Sequence, residues 1–380
     1  MANTGQSPHD AVMNGEIWAE FCDQLKAAGE TILRADAPND PLHRAEGWRY
    51  LTRLSRIALD MFMECSDRDF PSFYRPSHET AKIGADNPDN LYQRAEINGC
   101  NDYVIRGERG SVPYLGFIAI AGGYEEADGN MRSVAALDTH TGLQVEDDGG
   151  IVIHLSREPK PGNWLRLSDD TVAVLVRQTF LDRGTERAAQ LTISRSDNDG
   201  SPPQPLCTEK LALALRSSAA FVQGTAGLFA DWAAQFKQQP NTLPAADQAY
   251  CQKLGGDPNI YYYHGYFCLE EDEALLVEVD DIPPCDNWNL QVNNYWMESL
   301  DYRYSPIHLN KHMAHYTPQG GVLIVIADGG SSLPNSLDTC RHREGTLAFR
   351  WIGAQRIVDP RCRVVKKAEL HTLKETAHGG

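Results

Sequence analysis

The N-terminal part of the chain has the apolar spacing of two amphipathic helices. In residues 17–32 apolar side chains recur every three or four positions, which places them on one helix face. Residues 43–65 repeat this pattern, with arginines on the other faces. Residues 71–76, which contain two prolines, are expected to end the second helix.

From residue 91 the period changes to short β-branched and aromatic runs, which are typical of strands. Turns rich in Gly, Asp, Asn and Pro separate the runs, and no helical pattern lies between them. This arrangement favours antiparallel sheets over βαβ winding. The predicted strands here are residues 103–106, 114–120, 151–155 and 172–180.

The polar loop at residues 197–205 is followed by a helical pattern that ends near Pro240. Strands then return, again separated by turn residues, and no internal repeat of fixed period is visible. The predicted strands of this part are residues 261–269, 274–279, 290–296, 322–327 and 346–351.

The predicted fold is mainly β with helical additions, an α+β chain whose antiparallel sheets form a jelly roll or sandwich. The expected units are an N-terminal helical segment, a first β unit, a helical insertion, a second β unit and a frayed tail. In the same order, these units occupy residues 1–80, 85–200, 201–255, 256–370 and 371–380.

Composition excludes several classes of partner. The chain has 380 residues, and 52 acidic against 35 basic side chains give a net charge of −17, which disfavours nucleic acid and anionic membrane surfaces. No apolar run approaches the roughly 18 residues of a membrane span, and no signal peptide is visible. Nine cysteines without a C-x-x-C pair indicate reduced thiols and a cytoplasmic protein. A homodimer is favoured by base rates alone.

Common cofactor and hydrolase motifs do not occur in the sequence. There is no G-x-G-x-x-G, Walker loop, H-E-x-x-H or G-x-S-x-G. No cofactor is therefore expected, and nicotinamide, flavin, ATP and ordinary hydrolase functions lose support.

Residues 284–303 combine amides with large aromatic side chains. Aromatic walls with a few polar anchors are typical of a pocket for a flat apolar ligand, so this segment is predicted to bind a small aromatic substrate. The alternative is a core strand whose opposite, polar face lies in solvent. The predicted substrate-binding residues are Tyr92, Trp288, Asn289, Gln291, Asn294 and Trp296.

Four tyrosines surround one histidine in residues 261–266. A phenol and an imidazole can exchange protons near neutral pH without a metal, so Tyr263 and His264 are predicted to be catalytic. The alternative is that these tyrosines pack across strands with their hydroxyls at the surface.

Two polar segments have both a chemical and a structural interpretation. Asp338 is four residues before His342 and would orient it as a general base on a helical turn, or it would simply cap that turn. Residues 86–90 form a turn or, through their carboxylates, bind a hard cation such as calcium. A metal-dependent hydrolase would use this loop or the cluster of His308, His312 and His315, which otherwise lie on the surface.

Several short signatures occur along the chain at residues 86–92, 103–107, 162–165, the strand ending in Arg177, residues 289–303, residues 337–339, His342, Gly345 and Arg350-Trp351. Together they resemble the bacterial family called domain of unknown function 1214. The resemblance covers about residues 85–365 and implies a β-rich, jelly-roll or sandwich-like architecture with inserted helices. The family has no settled activity or agreed catalytic residues, and its usual preceding β domain is replaced here by a helical segment.

The function predicted from these residues is a cofactor-independent lyase or isomerase acting on an apolar aromatic molecule. A tyrosine would transfer a proton and an arginine would stabilise an oxyanion, so Arg303→Ala is expected to reduce turnover at least about a hundredfold. One version is a carbon–carbon lyase that releases formaldehyde from lignin-type aromatic dimers. The alternatives are a non-catalytic binding or assembly module and a metal-dependent hydrolase. The predicted catalytic residues are Tyr103, Arg106, Tyr263, His264, Tyr302, Arg303, Asp338 and His342.

Overall fold

The computed structural model describes residues 7–123, 131–197, 200–253 and 256–371, so most of the predicted tail lies outside the described residues. Short 3-10 turns occupy Gly29–Leu33 and Lys367–Glu369. The α-helices of the described residues are α1 Pro8–Met13, α2 Glu16–Ala28, α3 Pro41–Leu59, α4 Thr208–Phe236 and α5 Gln248–Lys253.

Helices α2, α3 and α4 pack together into one layer. Helix α3 begins where Asp40 accepts hydrogen bonds from the backbone N–H groups of Leu42 and His43, at 3.0 and 3.1 Å. It ends in a π-helical turn at Asp60–Glu64. The layer packs on the second β unit, because its apolar cluster includes Tyr266 and Trp296.

The first β unit is a sandwich of two four-stranded sheets. The sheet orders are β1-β7-β3-β4 and β6-β5-β2-β8, and the inner faces of both sheets form one apolar core. Its strands are β1 Asn90–Glu96, β2 Tyr103–Glu108, β3 Tyr114–Ala121, β4 Arg132–Asp138, β5 Gly150–Ser156, β6 Asn163–Arg166, β7 Thr171–Thr179 and β8 Gln190–Arg195.

The second β unit is also a two-sheet sandwich with its own core. The sheet orders are β9-β15-β11-β12 and β14-β13-β10-β16. Its strands are β9 Ile260–Cys268, β10 Glu273–Val279, β11 Asn287–Val292, β12 His308–Asn310, β13 Val322–Ala327, β14 Ser336–Asp338, β15 Glu344–Ile352 and β16 Arg361–Lys366.

The two β units have the same topology. Adding eight to each strand number of the first unit gives the sheet orders of the second. The strand directions agree as well, since β5 and β6 pair in parallel, as do β13 and β14, and the other strand pairs are antiparallel. The fold therefore contains a structural repeat that no fixed period in the sequence reveals.

The mainly β, sandwich-like α+β fold predicted from the sequence is confirmed. The described strands that lack a predicted counterpart, β1, β4, β6, β8, β12, β14 and β16, all lie at sheet edges. Strands β4, β8 and β16 among them bury only one residue each, so their sequences lack the apolar run of a buried strand.

The strand predicted at residues 290–296 ends at Val292 instead. Beyond it the chain turns, with Met297 in the left-handed region at φ +55° and the Asn294 side chain accepting the Glu298 backbone N–H at 3.1 Å. Among the described residues, no helix is long and apolar enough to cross a membrane.

Candidate functional site

A cavity of about 190 Å³ lies between the two β units. Its walls come from the outer faces of the β1-β7-β3-β4 and β9-β15-β11-β12 sheets and from helices α3 and α4. Most of the lining is apolar, which suits a flat hydrophobic molecule. The apolar side chains include Ile83, Ile120, Leu175, Phe221, Phe229 and Trp232.

Each β unit contributes one Tyr–Arg pair to the cavity. Tyr92 on β1 lies opposite Arg177 on β7, and Tyr262 on β9 lies opposite Arg350 on β15. Directly opposed residues of antiparallel strands point to the same sheet face, so the two side chains of each pair lie on the cavity side of their sheet. Because β1 and β7 correspond to β9 and β15 in the repeat, the two pairs occupy equivalent positions.

The guanidinium of Arg350 is buried, with 5% of the residue exposed. It donates to Gln291 Oε1 at 2.6 Å, to Asn289 Oδ1 at 3.3 Å and to the carbonyl oxygen of Ala85. All three acceptors are neutral, and no carboxylate of the described residues lies within ion-pair distance. A buried charge without a counter-ion is costly, and a bound anion would reduce that cost.

Arg177, in contrast, faces a carboxylate. Its Nη1 lies 3.7 Å from Asp257 Oδ2, which also accepts the Tyr114 hydroxyl at 3.0 Å. Burial alone would lower the pKa of Arg177, but the nearby Asp257 charge and tyrosines raise it above its ordinary value. Of the three arginines that line the cavity, Arg177 faces Asp257 and Arg94 pairs with Glu96 at 2.6 Å, whereas Arg350 has no carboxylate partner among the described residues.

The two cavity phenols are held through their oxygen atoms. The Tyr92 hydroxyl accepts from the Asn87 N–H at 3.2 Å and from Asn90 Nδ2 at 3.1 Å, and the Tyr262 hydroxyl accepts from the Asp257 N–H at 3.0 Å. Neither hydroxyl donates to an acceptor among the described residues, so each has a proton to offer to a ligand. Burial raises the pKa of Tyr262 to about 12, although the two guanidiniums partly oppose it.

The turn at residues 86–90 brings a further donor to the cavity. Asn87 Oδ1 accepts from the Asp89 N–H at 3.0 Å and from Asn289 Nδ2 at 2.8 Å. Asn87 Nδ2 is buried and has no partner among the described residues. This amide nitrogen is therefore a donor at the cavity wall that is available to a bound molecule or to water.

The turn interpretation of residues 86–90 is therefore confirmed, and its carboxylates are already occupied. Asp89 accepts from Asn289 and Asn310 side chains at 2.9 Å each, and Asp86 accepts from the backbone and hydroxyl of Ser299. Burial would raise the pKa of Asp89, but these amides and His308 hold it below its usual value. The structure does not support the calcium alternative, because these carboxylate oxygens already accept protein hydrogen bonds.

His264 lies on the cavity wall, its ring 5.3 Å from those of both Trp232 and Phe236. Burial, assisted by the Arg350 charge, lowers the pKa of His264 to about 3. The proton exchange near neutrality predicted for its imidazole is thus not favoured, because a group with this pKa is a weak base at pH 7. In this structure His264 is mainly an aromatic wall.

The amide-rich segment supports the cavity from behind. Trp288 belongs to the core of the second β unit, while Asn289 and Gln291 point the other way and hold Arg350 and the 86–90 turn. The alternative of a solvent-exposed polar face is wrong, because Asn289 and Gln291 are at most 1% exposed. These amides position the groups that line the cavity.

Asn294 and Trp296 lie at the junction with helix α3. The Trp296 indole donates to the His43 carbonyl oxygen at 2.9 Å, and Asn294 Nδ2 donates to Glu298 at 2.9 Å. A Cβ on Gly47 would come within 2.8 Å of the Trp296 ring, so this contact requires glycine. Neither predicted substrate-binding residue lies on the cavity wall.

The predicted Asp338–His342 pair is not formed. Asp338 accepts the backbone N–H groups of Gly329 and Cys340 at 3.0 and 2.7 Å, as the turn-capping alternative expects. His342 Nε2 instead contacts Glu46 of α3 at 2.8 Å. The residues were expected to share a helical turn, but Cys340 has a positive φ of +51°, which breaks it.

The other predicted catalytic residues lie away from the cavity. Tyr103 is a core residue whose hydroxyl donates to the Arg68 carbonyl at 2.9 Å, and Arg106 is exposed on β2. Tyr263 faces the core and donates to Asp359 at 2.6 Å. Tyr302 lies 4.6 Å below the buried ammonium of Lys82. Arg303 is exposed and pairs with Asp301 at 2.7 Å.

The three histidines proposed for a metal site do not converge. His308 contacts Asp89 at 3.4 Å, whereas His312 is largely exposed and lies 3.8 Å from Asp182. Within the described part of the chain, no three His, Cys, Asp or Glu residues are grouped so that they could hold a metal ion.

Sequence reasoning missed Arg177, Arg350, Asn87 and Asp257 as site residues. One available signal was a single arginine within an otherwise apolar strand pattern, at residues 172–180 and again at 346–351. A charge in a buried strand has either a partner or a function. Of the residues predicted to form the site, Tyr92 and His264 are those that line the cavity.

Comparison with solved structures finds a relative that is similar over nearly the whole chain. The crystal structure of an uncharacterised protein from Burkholderia cenocepacia matches with a TM-score of 0.93 and 54% identity, over 95% of this chain and 99% of that chain. The chain belongs to the same family as that protein.

More distant structures do not inform the function. A Vibrio parahaemolyticus protein matches with a TM-score of 0.46 and 10% identity, over 84% of this chain and 98% of that chain. A vicilin from Solanum melongena reaches a TM-score of only 0.21 at 12% identity, over 77% and 82%. No protein-family model and no curated protein matches the chain. The resemblance to domain of unknown function 1214 therefore stays a prediction.

Proposed function

We propose that the protein is an enzyme that acts on a small apolar, aromatic molecule in the cavity between its β units, by acid–base chemistry that needs no added cofactor. The observation that carries the proposal is the buried, unpaired guanidinium of Arg350 next to a phenol, Tyr262, with a free proton to donate. Donors fixed at a dry wall stabilise negative charge that develops on a substrate.

In this proposal Arg350 stabilises an oxyanion on the substrate, and Tyr262 or Tyr92 delivers a proton to it. A neutral phenol with a pKa of about 12 is a proton donor, not a base, at neutral pH. Such a site suits a lyase or an isomerase whose transition state carries negative charge on oxygen. The apolar walls would hold the ring of the substrate.

The size of the cavity favours a molecule of one or two rings. Its volume of about 190 Å³ is below the ~300–1,000 Å³ common for drug-sized ligands. A lignin-type dimer that releases formaldehyde remains a more specific version of the proposal, and a single-ring substrate fits this volume better. We place the reaction in the cytoplasm, since all nine cysteines are free thiols.

A binding module is the second candidate function, and one observation favours it. The pKa of His264 is about 3 and that of Tyr262 about 12, so neither of these cavity groups titrates near pH 7. A general base poised near neutrality is the usual partner of a general acid. Without such a base, the same cavity would serve for recognition alone.

Incubation of the purified protein with one- and two-ring aromatic compounds and aromatic dimers, followed by mass spectrometry, tests the two candidates. No cofactor is added, and each reaction is run with and without a chelator. The enzyme proposal expects a product that survives chelation and is lost in Arg350→Met. Saturable binding without a product from any compound would instead support the binding module, and a product that disappears with the chelator would contradict cofactor-independent chemistry.

A further inference from the structure

The repeat extends to the turn that precedes each cavity tyrosine. Asn87-Pro88-Asp89 comes before Tyr92, and Asp257-Pro258-Asn259 comes before Tyr262 at the same spacing. In each turn the first residue donates its backbone N–H to the tyrosine hydroxyl, at 3.2 and 3.0 Å. Its side-chain Oδ1 accepts the N–H two residues later, at 3.0 and 2.9 Å. Asn87 and Asp257 are therefore structurally equivalent.

Each turn reaches across to the other β unit. Asp257 extends from the second unit to the first, where its Oδ2 meets Tyr114 of β3 and Arg177 of β7. Asn87 extends from the first unit to the second, where Asn289 of β11 donates to it at 2.8 Å. The same Asn289 side chain accepts from Arg350, so a single amide connects Asn87 to that guanidinium.

The two equivalent positions differ in one atom. Where Asp257 has Oδ2, a charged acceptor that faces Arg177, Asn87 has Nδ2, a donor without a partner among the described residues. Arg350 consequently lacks the carboxylate that its counterpart has. Of the five N–H groups of the guanidinium, the neutral acceptors Gln291, Asn289 and Ala85 account for three.

We propose that a carboxylate of the ligand binds between Asn87 Nδ2 and the Arg350 guanidinium, in the place that corresponds to the Asp257 carboxylate in the other half. This inference rests on the proposed function and specifies its substrate as an apolar aromatic ring that carries one carboxylate. Arg350 then binds this carboxylate and stabilises the further negative charge that the reaction places on its oxygens. The apolar walls take the ring, and the donors at one end take the charge.

Pairs of isosteric probes test the charge requirement. Benzoate and 2-naphthoate are compared with benzamide and 2-naphthamide by isothermal titration calorimetry on the full-length protein. We expect each carboxylate to bind at least about tenfold more tightly than its amide, since only the carboxylate neutralises Arg350. Equal affinity, or no detectable binding of either probe, overturns the proposal.

Asn87→Asp tests the location of the site. The substitution gives position 87 the carboxylate that the equivalent Asp257 has, on the side of the cavity where Asn289 connects it to Arg350. We expect this variant to keep its melting temperature and to lose the preference for carboxylates at least about tenfold. A variant that folds and still prefers carboxylates overturns the proposed position.

Asp257→Asn is the reciprocal variant. It removes the carboxylate from the Arg177 side and leaves the Arg350 side unchanged, so the preference for carboxylates should persist. An equal loss of preference in both variants would contradict the proposal, because the effect would then not depend on which guanidinium is paired. Turnover of a neutral compound by a protein without carboxylate preference would refute this inference alone, whereas selective carboxylate binding without any product would refute the enzyme proposal alone.

Discussion

The two β units of this molecule share one topology, but the equivalent buried arginines in them have different partners. In the first β unit Arg177 faces Asp257, and in the second Arg350 faces only neutral acceptors. A paired buried charge is satisfied within the protein, whereas an unpaired one is satisfied by something bound. Under the proposed function, the Arg177–Asp257 pair is structural, whereas Arg350 is the guanidinium that a ligand neutralises.

The same substitution at the two arginines should produce opposite dominant effects. Arg177→Met leaves Asp257, which is 2% exposed, without its counter-ion, so we expect a loss of about 3 kcal/mol in unfolding free energy. Arg350→Met removes a buried charge that has no counter-ion, so stability should change less while turnover falls about a hundredfold. Denaturant unfolding and product formation measure the two effects. Equal destabilisation by both substitutions would break the comparison.

The exposed Arg303 provides a control for these arginines. It pairs with Asp301 at the surface, so in Arg303→Ala neither the unfolding equilibrium constant nor the turnover rate should change by more than about twofold. This expectation reverses the one drawn from the sequence, since the side chain does not reach the cavity.

Substitution of two neighbouring tyrosines of β9 should affect kcat differently, because their side chains lie on opposite faces of the sheet. Tyr262→Phe removes the proposed proton donor and should lower kcat by about a hundredfold, with a small effect on stability. Tyr263→Phe removes only the hydrogen bond to Asp359 on the opposite face, so kcat should be unchanged. Steady-state kinetics on both variants distinguish the faces. A similar fall in kcat for Tyr263→Phe would contradict the assignment.

The smallest expected effect concerns the helical layer, which packs on the second β unit. Burial opposes both charges, but the hydrogen bond between Glu46 and His342 raises the pKa of His342 above 6.5 and lowers that of Glu46 below 4.5. The contribution of His342 is present below pH 6.5 and is lost as the pH rises through its raised pKa. That of Glu46 is present above pH 4.5 and is lost on acidification.

Stability should therefore fall as the pH rises from 6 to 9, through the loss of the His342 charge. In Glu46→Gln this decline should disappear, because the imidazole no longer has an ionised partner. His312→Gln, at an exposed position, should retain the decline. Urea unfolding across this pH range measures all three proteins, and an unchanged slope in Glu46→Gln would exclude the pair as its cause.

Much of the fold was accessible from sequence because the signals are local. The apolar runs at 114–120, 172–180 and 346–351 predict strands, and each is a strand of the structure, in a central position of its sheet. Strands β6 and β16 were not predicted, because β6 has only four residues and β16 buries a single side chain, so neither has a long apolar run. The site was harder to predict from the sequence. Which side chains face the cavity depends on which faces of the sheets pack against each other.

The sequence by itself determined the secondary-structure class, the net charge of −17 and the candidate residues Tyr92 and His264. Only the tertiary structure decided that Asn87, Asn289 and Arg350, spread over more than 250 residues, belong to one site. The periodicity of apolar residues indicates the local secondary structure, because it depends only on neighbours along the chain. Whether a buried charge has a partner depends on contacts between distant segments, and these form only when the two β units pack together.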